Sequence, residues 1–90
     1  GADPDLLLRI AQCESKLNPT ARGDFRSETK EFLAKGLFQF WEKTFFAFRK
    51  ESRLLHLKYE NWKDQAELAA WAFASGKEKH WFNCWKFALR

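Results

Sequence analysis

The chain has no methionine, only two histidines and two cysteines, and no apolar run longer than Leu68 to Ala74. Each scarcity excludes something. A bilayer span needs about 20 consecutive apolar residues, so no segment here crosses a membrane as a helix. His56 and Glu60 stand four apart, but no further residue supplies the ligand spacing of a metal site, and His80 lies far along the chain. No metal or other cofactor is therefore expected. A chain that begins Gly-Ala and lacks Met reads as a mature or excised domain, so a missing signal peptide leaves the compartment open. There is no internal repeat, linker or low-complexity stretch, and 90 residues make one domain over 1–90.

A domain of this size buries only about 60–65% of its unfolded surface, so its core is marginal and a covalent staple would help. Cys13 and Cys84 could form one disulfide if the chain is exported, or remain two reduced, buried thiols in a cytosolic protein. Ten Phe and five Trp are a heavy aromatic load. Aromatics give a small core much buried area from few side chains, but they also form the stacking platforms of carbohydrate grooves. The formal net charge of +4 favours an anionic partner such as cell wall, nucleic acid or a membrane surface without choosing among them. The basic residues are dispersed, so most are expected on a solvated surface.

The pattern is mainly helical. Asp3-Pro4 reads as an N-cap with proline at the first helical position. Leu6, Ile10, Cys13 and Leu17 then recur at helical spacing, with Leu7, Ala11 and Glu14 alongside, over a helix from Pro4 to Lys16. Asn18-Pro19 ends it. Arg22-Gly23-Asp24 reads as a turn, and Ser27 to Ala34 as a helical turn or one arm of a hairpin. Thr44 is the candidate cap of a helix from Phe45 to Leu55, with Phe45, Phe48 and Leu55 on its buried side. Asn61 caps a helix from Trp62 to Ser75, followed by Gly76 at the left-handed stop position. Leu68, Ala69, Trp71, Ala72 and Phe73 make that helix apolar around most of its surface, as expected of a central helix. A short last helix or turn covers His80 to Leu89. Trp62, Trp71 and Trp85 are expected in the core, and Trp41 and Trp81 along a groove.

Glu14 sits near the end of the first helix among apolar neighbours. Desolvation and the negative end of the helix dipole should both make it hold its proton more tightly than a surface carboxyl does. A segment Cys13-Glu14-Ser15, then Leu17-Asn18-Pro19, then Gly36-Leu37-Phe38-Gln39-Phe40, an Ala/Trp-rich helix ending at Gly76, and finally Trp81 and Cys84, resembles the lytic transglycosylase and goose-type lysozyme group, in its short, cysteine-bridged form. The resemblance covers about residues 5 to 86. It implies a mainly α, minimal lysozyme-like fold. Four or five short helices would surround a buried central helix, with a small irregular or hairpin lobe between residues 20 and 40.

It also implies roles. Glu14 matches the catalytic acid/base, and Ser15 the serine that supports it and the substrate. Gln39 matches the glutamine along the cleft, with Phe38 beside it, and Gly36 a glycine that lets the backbone pass close to the catalytic helix. Cys13 and Cys84 match a bridged pair. Trp81 and the single tyrosine, Tyr59, are candidate substrate contacts, Tyr59 also a hydrogen-bond partner for Glu14. The chain departs from the pattern where Ala72-Phe73-Ala74-Ser75-Gly76 stands for an Ala-Tyr-Asn-Ala-Gly element, and where Glu42-Lys43 precede Thr44 without a proline.

The implied substrate is the glycan strand of bacterial peptidoglycan, cleaved outside the cytoplasm by a secreted, periplasmic or extracellular monomer. Two-carboxylate glycosidases hold their carboxyls about 5 Å or 6.5–9.5 Å apart, and here only Glu14 has a site-like context. Asp24, Glu28 and Glu31 could approach from the loop region, Asp24 more as a turn residue than a second catalytic group. With one carboxylate, Glu14 would protonate the glycosidic oxygen and then activate either the sugar's own 6-hydroxyl or a water. Three other readings compete: a non-catalytic wall-binding module of the same fold, a basic nucleic-acid-binding domain without a recognisable motif, and membrane disruption by the Trp/Lys-rich tail, residues 77 to 90. Nucleic acid is not expected as a partner, and weak association with anionic membranes is a side activity the tail allows.

Overall fold

The computed structural model describes residues 3–88, with side chains through residue 86. Among these residues are four α-helices and one three-stranded antiparallel sheet, consistent with a mainly α, lysozyme-like fold. Helix α1 spans Pro4–Ser15, and Asp3 caps it by accepting from the Asp5 amide at 2.9 Å. It ends earlier than its apolar spacing implies, because Lys16 and Leu17 both turn left-handed, with φ of 55° and 61°. Leu17 therefore leaves the helix stripe and is exposed, while Ile10 and Ala11 are buried.

The stretch expected to be a turn at Arg22-Gly23-Asp24 is instead strand β1, Arg22–Arg26. It pairs with β2, Glu31–Lys35, with Gly23 opposite Ala34 and Phe25 opposite Phe32. The turn begins five residues later than expected, at 27–30, where Lys30 supplies a left-handed residue. Strand β3, Phe40–Trp41, pairs Ala34 with Trp41 and runs directly into α2, Glu42–Ser52. Thr44 is thus not the cap of α2. Trp41 occupies that position without a side-chain cap bond, and Thr44 falls within the first turn. The helix stops at Ser52 because Arg53 turns left-handed, so Leu55 is outside it and exposed.

Helix α3, Trp62–Ala74, is the central helix, and Asn61 caps it through bonds from the Lys63 and Asp64 amides. Its end closes with Lys77 N–H on the Ala72 carbonyl at 2.8 Å and Gly76 N–H on Phe73 at 3.2 Å, around a left-handed Gly76. Leu68, Ala69 and Ala72 are fully buried, but Trp62 is exposed, since its position on the first turn points away from the core. A 3-10 turn over Glu78–Trp81 leads into α4, Phe82–Ala88; the expected end of that helix at Leu89 lies outside the described residues.

The core is aromatic. Phe40 meets Phe45, Phe48 and Trp81 edge-to-face, with centroids 5.2–6.3 Å apart. Truncating such a ring to alanine costs about 3–5 kcal/mol. Cys13 and Cys84 form a disulfide with Cα atoms 5.6 Å apart, joining α1 to α4 and closing a loop of sequence separation 71.

Candidate active site

Glu14 stands on the last turn of α1 and opens on a cleft of about 440 Å³. The far wall comes from the sheet, where Gly23 and Ala34 are cross-strand partners. Two of the smallest side chains at this pair leave the space that the cleft occupies. Asp24, Gln39, Trp41, Thr44, His80 and Trp81 also line it.

The Glu14 carboxyl is pushed up to about 7, first by burial and then by the negative charge of Asp24. It is therefore substantially protonated at neutral pH. Asp24 accepts a hydrogen bond from the Trp41 indole at 2.8 Å. Regular strand alternation would set Asp24 on the same face as Arg22 and Arg26. Its left-handed backbone, φ 52°, accompanies its place in the cleft, while both arginines line a separate groove.

The loop between β2 and β3 carries the Gly-Leu-Phe-Gln motif, and side chains from three directions hold its backbone. Ser15 shares its hydroxyl between the Leu37 carbonyl, at 2.7 Å, and Ala11, at 3.0 Å. Trp81 donates its indole N–H to the Phe38 carbonyl at 2.9 Å. Gln65 on α3, 1% exposed, accepts from Phe38 N–H at 3.1 Å and donates to the Lys35 and Tyr59 carbonyls, both at 2.9 Å. Gln39 itself is left-handed, with φ 52°, and its amide donates to the Gly36 carbonyl at 2.8 Å and to Ala21 at 3.0 Å.

Two glycines permit this packing. A Cβ on Gly23 would lie 2.5 Å from Gln39 Oε1. At Gly36, where φ is 89°, a Cβ would lie 2.3 Å from Gln65 Nε2. The atoms that an added Cβ at Gly36 would meet first belong to Gln65 on α3, while the next residue's carbonyl accepts from Ser15 on the helix that carries Glu14.

The structure brings Glu14, Gln39 and Trp81 together in the cleft, and adds Asp24 and Trp41. It does not bring Ser15, Phe38 or Tyr59 there. Phe38 is buried against Trp81, and the Tyr59 hydroxyl donates to the Phe40 carbonyl rather than meeting Glu14. Burial and nearby acidic groups push the tyrosine up to about 12. Glu31 lines the separate groove, and His56 faces Glu67 at 3.6 Å rather than Glu60. Among the described residues, no group of three His, Cys, Asp or Glu side chains is placed to hold a metal ion.

Sequence reading missed Gln65 and His80. Gln65 had a detectable signal: with Leu68, Ala69 and Ala72 it falls at i, i+3, i+4 and i+7, so a polar residue stands on the buried stripe. His80 gave none. Its ring packs edge-on against Phe48 at 4.7 Å, and burial, then Lys77, lowers its pKa.

The transglycosylase SLT domain model matches residues 1–75, from α1 to the end of α3. No curated protein and no solved structure matches the chain. Members of the SLT family act on peptidoglycan in the periplasm or the extracellular space. With the match spanning most of the chain, and Glu14 and Gln39 on one cleft, the protein belongs to the transglycosylase SLT domain family, a family of peptidoglycan lytic transglycosylases.

Proposed function

We propose that this domain, as a monomer, cleaves the β-1,4 bond between N-acetylmuramic acid and N-acetylglucosamine in peptidoglycan, with Glu14 as the single acid and base. One observation carries the reading: a half-buried carboxyl, with a pKa raised to about 7, opens on a cleft in a chain of this family. Glu14 gives its proton to the glycosidic oxygen as the C1–O bond breaks. The carbonyl oxygen of the muramic N-acetyl group stabilises the positive C1. The Glu14 carboxylate then takes the proton of the same sugar's 6-hydroxyl, whose oxygen closes on C1 as a 1,6-anhydro ring. Gln39, Trp41 and Trp81 line the path of the sugars, while Ser15, Phe38, Tyr59 and Gln65 act by holding the cleft's backbone. The setting is outside the cytoplasm, where a disulfide such as Cys13–Cys84 persists.

Asp24 supports a second reading. A second carboxylate on the same cleft could help place a water, which would make the reaction a hydrolysis. Digestion of purified peptidoglycan, with products weighed by mass spectrometry, separates the two. Products one water lighter than reducing muropeptides, absent with Glu14→Gln, support the transglycosylase. Reducing products support the lysozyme. A wild type that binds wall and releases nothing supports a non-catalytic binding module.

A further inference from the structure

Behind Trp41 lies a second and larger groove, of about 770 Å³. Arg22, Arg26, Lys30, Lys35 and Lys43 line it, against two carboxylates, Glu31 and Glu42. None of these five cations forms an ion pair among the described residues, whose salt bridges are His56–Glu67 and Lys77–Glu51. The sequence disperses them, but the β1–β2 hairpin and the start of α2 gather them on one surface. Two partly exposed rings, Phe32 and Phe46, lie among them. Such a surface repels itself unless an anion covers it.

Trp41 belongs to both cavities, so the groove adjoins the Glu14 cleft. Its indole is held on the cleft side by Asp24 at 2.8 Å. The carboxylate that alternation would have set among the arginines lies in the cleft instead, which leaves the groove more positive.

We propose that this groove binds the carboxylates of the peptide stems carried by the glycan strand being cleaved. The proposal rests on the Glu14 cleft as the glycan site. A muramic acid seated there projects its lactyl-linked peptide outward from the strand. The acidic side chains and C-terminus of that peptide then arrive beside the cleft as spaced anionic groups. Cations on flexible stems suit that target better than a rigid pocket does, and the rings offer cover to the apolar alanine methyl groups. A free phosphate polymer has the charge to bind, but nothing ties it to the neighbouring cleft.

The test measures binding without turnover. In the Glu14→Gln background, the affinity of soluble glycan fragments is measured with their stems intact and after an amidase has removed them. The comparison is repeated with Arg26→Gln, Lys30→Gln and Lys43→Gln combined, and with the charge-conserving Arg26→Lys, Lys30→Arg and Lys43→Arg. Intact stems are expected to tighten binding roughly tenfold at low salt. The neutralised variant should lose that preference, the charge-conserving one should keep it, and about 0.5 M salt should erase it. Equal stem preference in all three proteins overturns the proposal. So does a neutralised variant that loses binding to single-stranded DNA or to anionic vesicles while still preferring stem-bearing glycan. Cleavage of stem-free glycan by the wild type is scored separately. If it occurs without any stem preference, the groove proposal fails while the Glu14 reading stands. If stem-dependent binding occurs without cleavage, the catalytic reading fails and the groove survives.

Discussion

The Trp41 indole donates to Asp24 Oδ2 at 2.8 Å, tying the end of β3 to the middle of β1 across the cleft that holds Glu14. The bond draws charge from the group that helps raise Glu14. The pair therefore gives two handles on the acid. Asp24→Asn removes the repulsion and should shift the alkaline limb of the pH–rate profile downward. Trp41→Phe leaves the Asp24 charge less compensated and should shift it upward. A profile that moves the same way in both variants would refute the coupling. Each change should alter stability by about 1 kcal/mol or less, read by urea denaturation.

Glu14→Gln should reduce glycan cleavage by at least about a hundredfold, as expected for removal of a general acid. Its effect on stability has a definite sign. The folded-state value of about 7 lies above the ordinary 4.5, so the folded form favours the protonated acid. The wild type's stability contribution from this group is full below pH 4.5 and is lost as pH rises through 7. Glu14→Gln should therefore melt above the wild type at about pH 8 and close to it at about pH 4. Melting curves at the two values decide the matter.

Gln65→Ala would strand the Phe38 amide and two carbonyls in the interior. A loss of about 3–5 kcal/mol is expected from urea denaturation, large for a domain of this size. Should the protein fold at all, its activity should fall as well, because the cleft loop loses its support from α3.

Gly36 and Gly76 separate steric clash from backbone strain. Both are left-handed, with φ of 89° and 78°, but an added Cβ meets Gln65 at Gly36 and nothing within 4 Å at Gly76. Gly76→Ala should cost about 1 kcal/mol, the backbone cost alone. Gly36→Ala should cost well over twice that. Equal costs would mean that Gln65 moves aside freely.

Reduction of Cys13–Cys84, or replacement of both by serine, releases a loop of separation 71. The chain-entropy model puts the loss at roughly 4 kcal/mol. Because the matched family region ends at residue 75, the bridge fastens the segment beyond it onto the helix carrying Glu14. Wall-digesting activity should fall in the reductant range where the disulfide opens, as followed by thiol labelling.

Local rules made much of this molecule readable. Asp3-Pro4 and Asn61 announced the starts of α1 and α3, and Gly76 the end of α3, because caps depend on a few adjacent residues. Glu14 was legible because a carboxylate set among apolar residues near a helix end loses hydration, and that cost singles it out from the solvated acids elsewhere in the chain. The strands were harder. Arg22-Gly23-Asp24 carries turn residues, yet pairing with β2 outweighed that preference, since a ladder partner far along the chain satisfied the backbone. Thr44 looked like a cap because it is a threonine before apolar residues, but β3 delivered the chain into α2 three residues earlier.

Ser15 and Tyr59 mark the deeper boundary. Sequence by itself determined which residues could do chemistry, which helices would form and which two cysteines were available to pair. Only the tertiary structure decided where each hydroxyl points: Ser15 into the Leu37 carbonyl, Tyr59 into that of Phe40. It alone set Asp24 facing the cleft and gathered dispersed cations beside Trp41. Cap and periodicity signals act over a turn or two of helix. Burial, hydrogen-bond partners and charge clusters instead depend on contacts between residues far apart in the chain, and exist only once it has closed on itself.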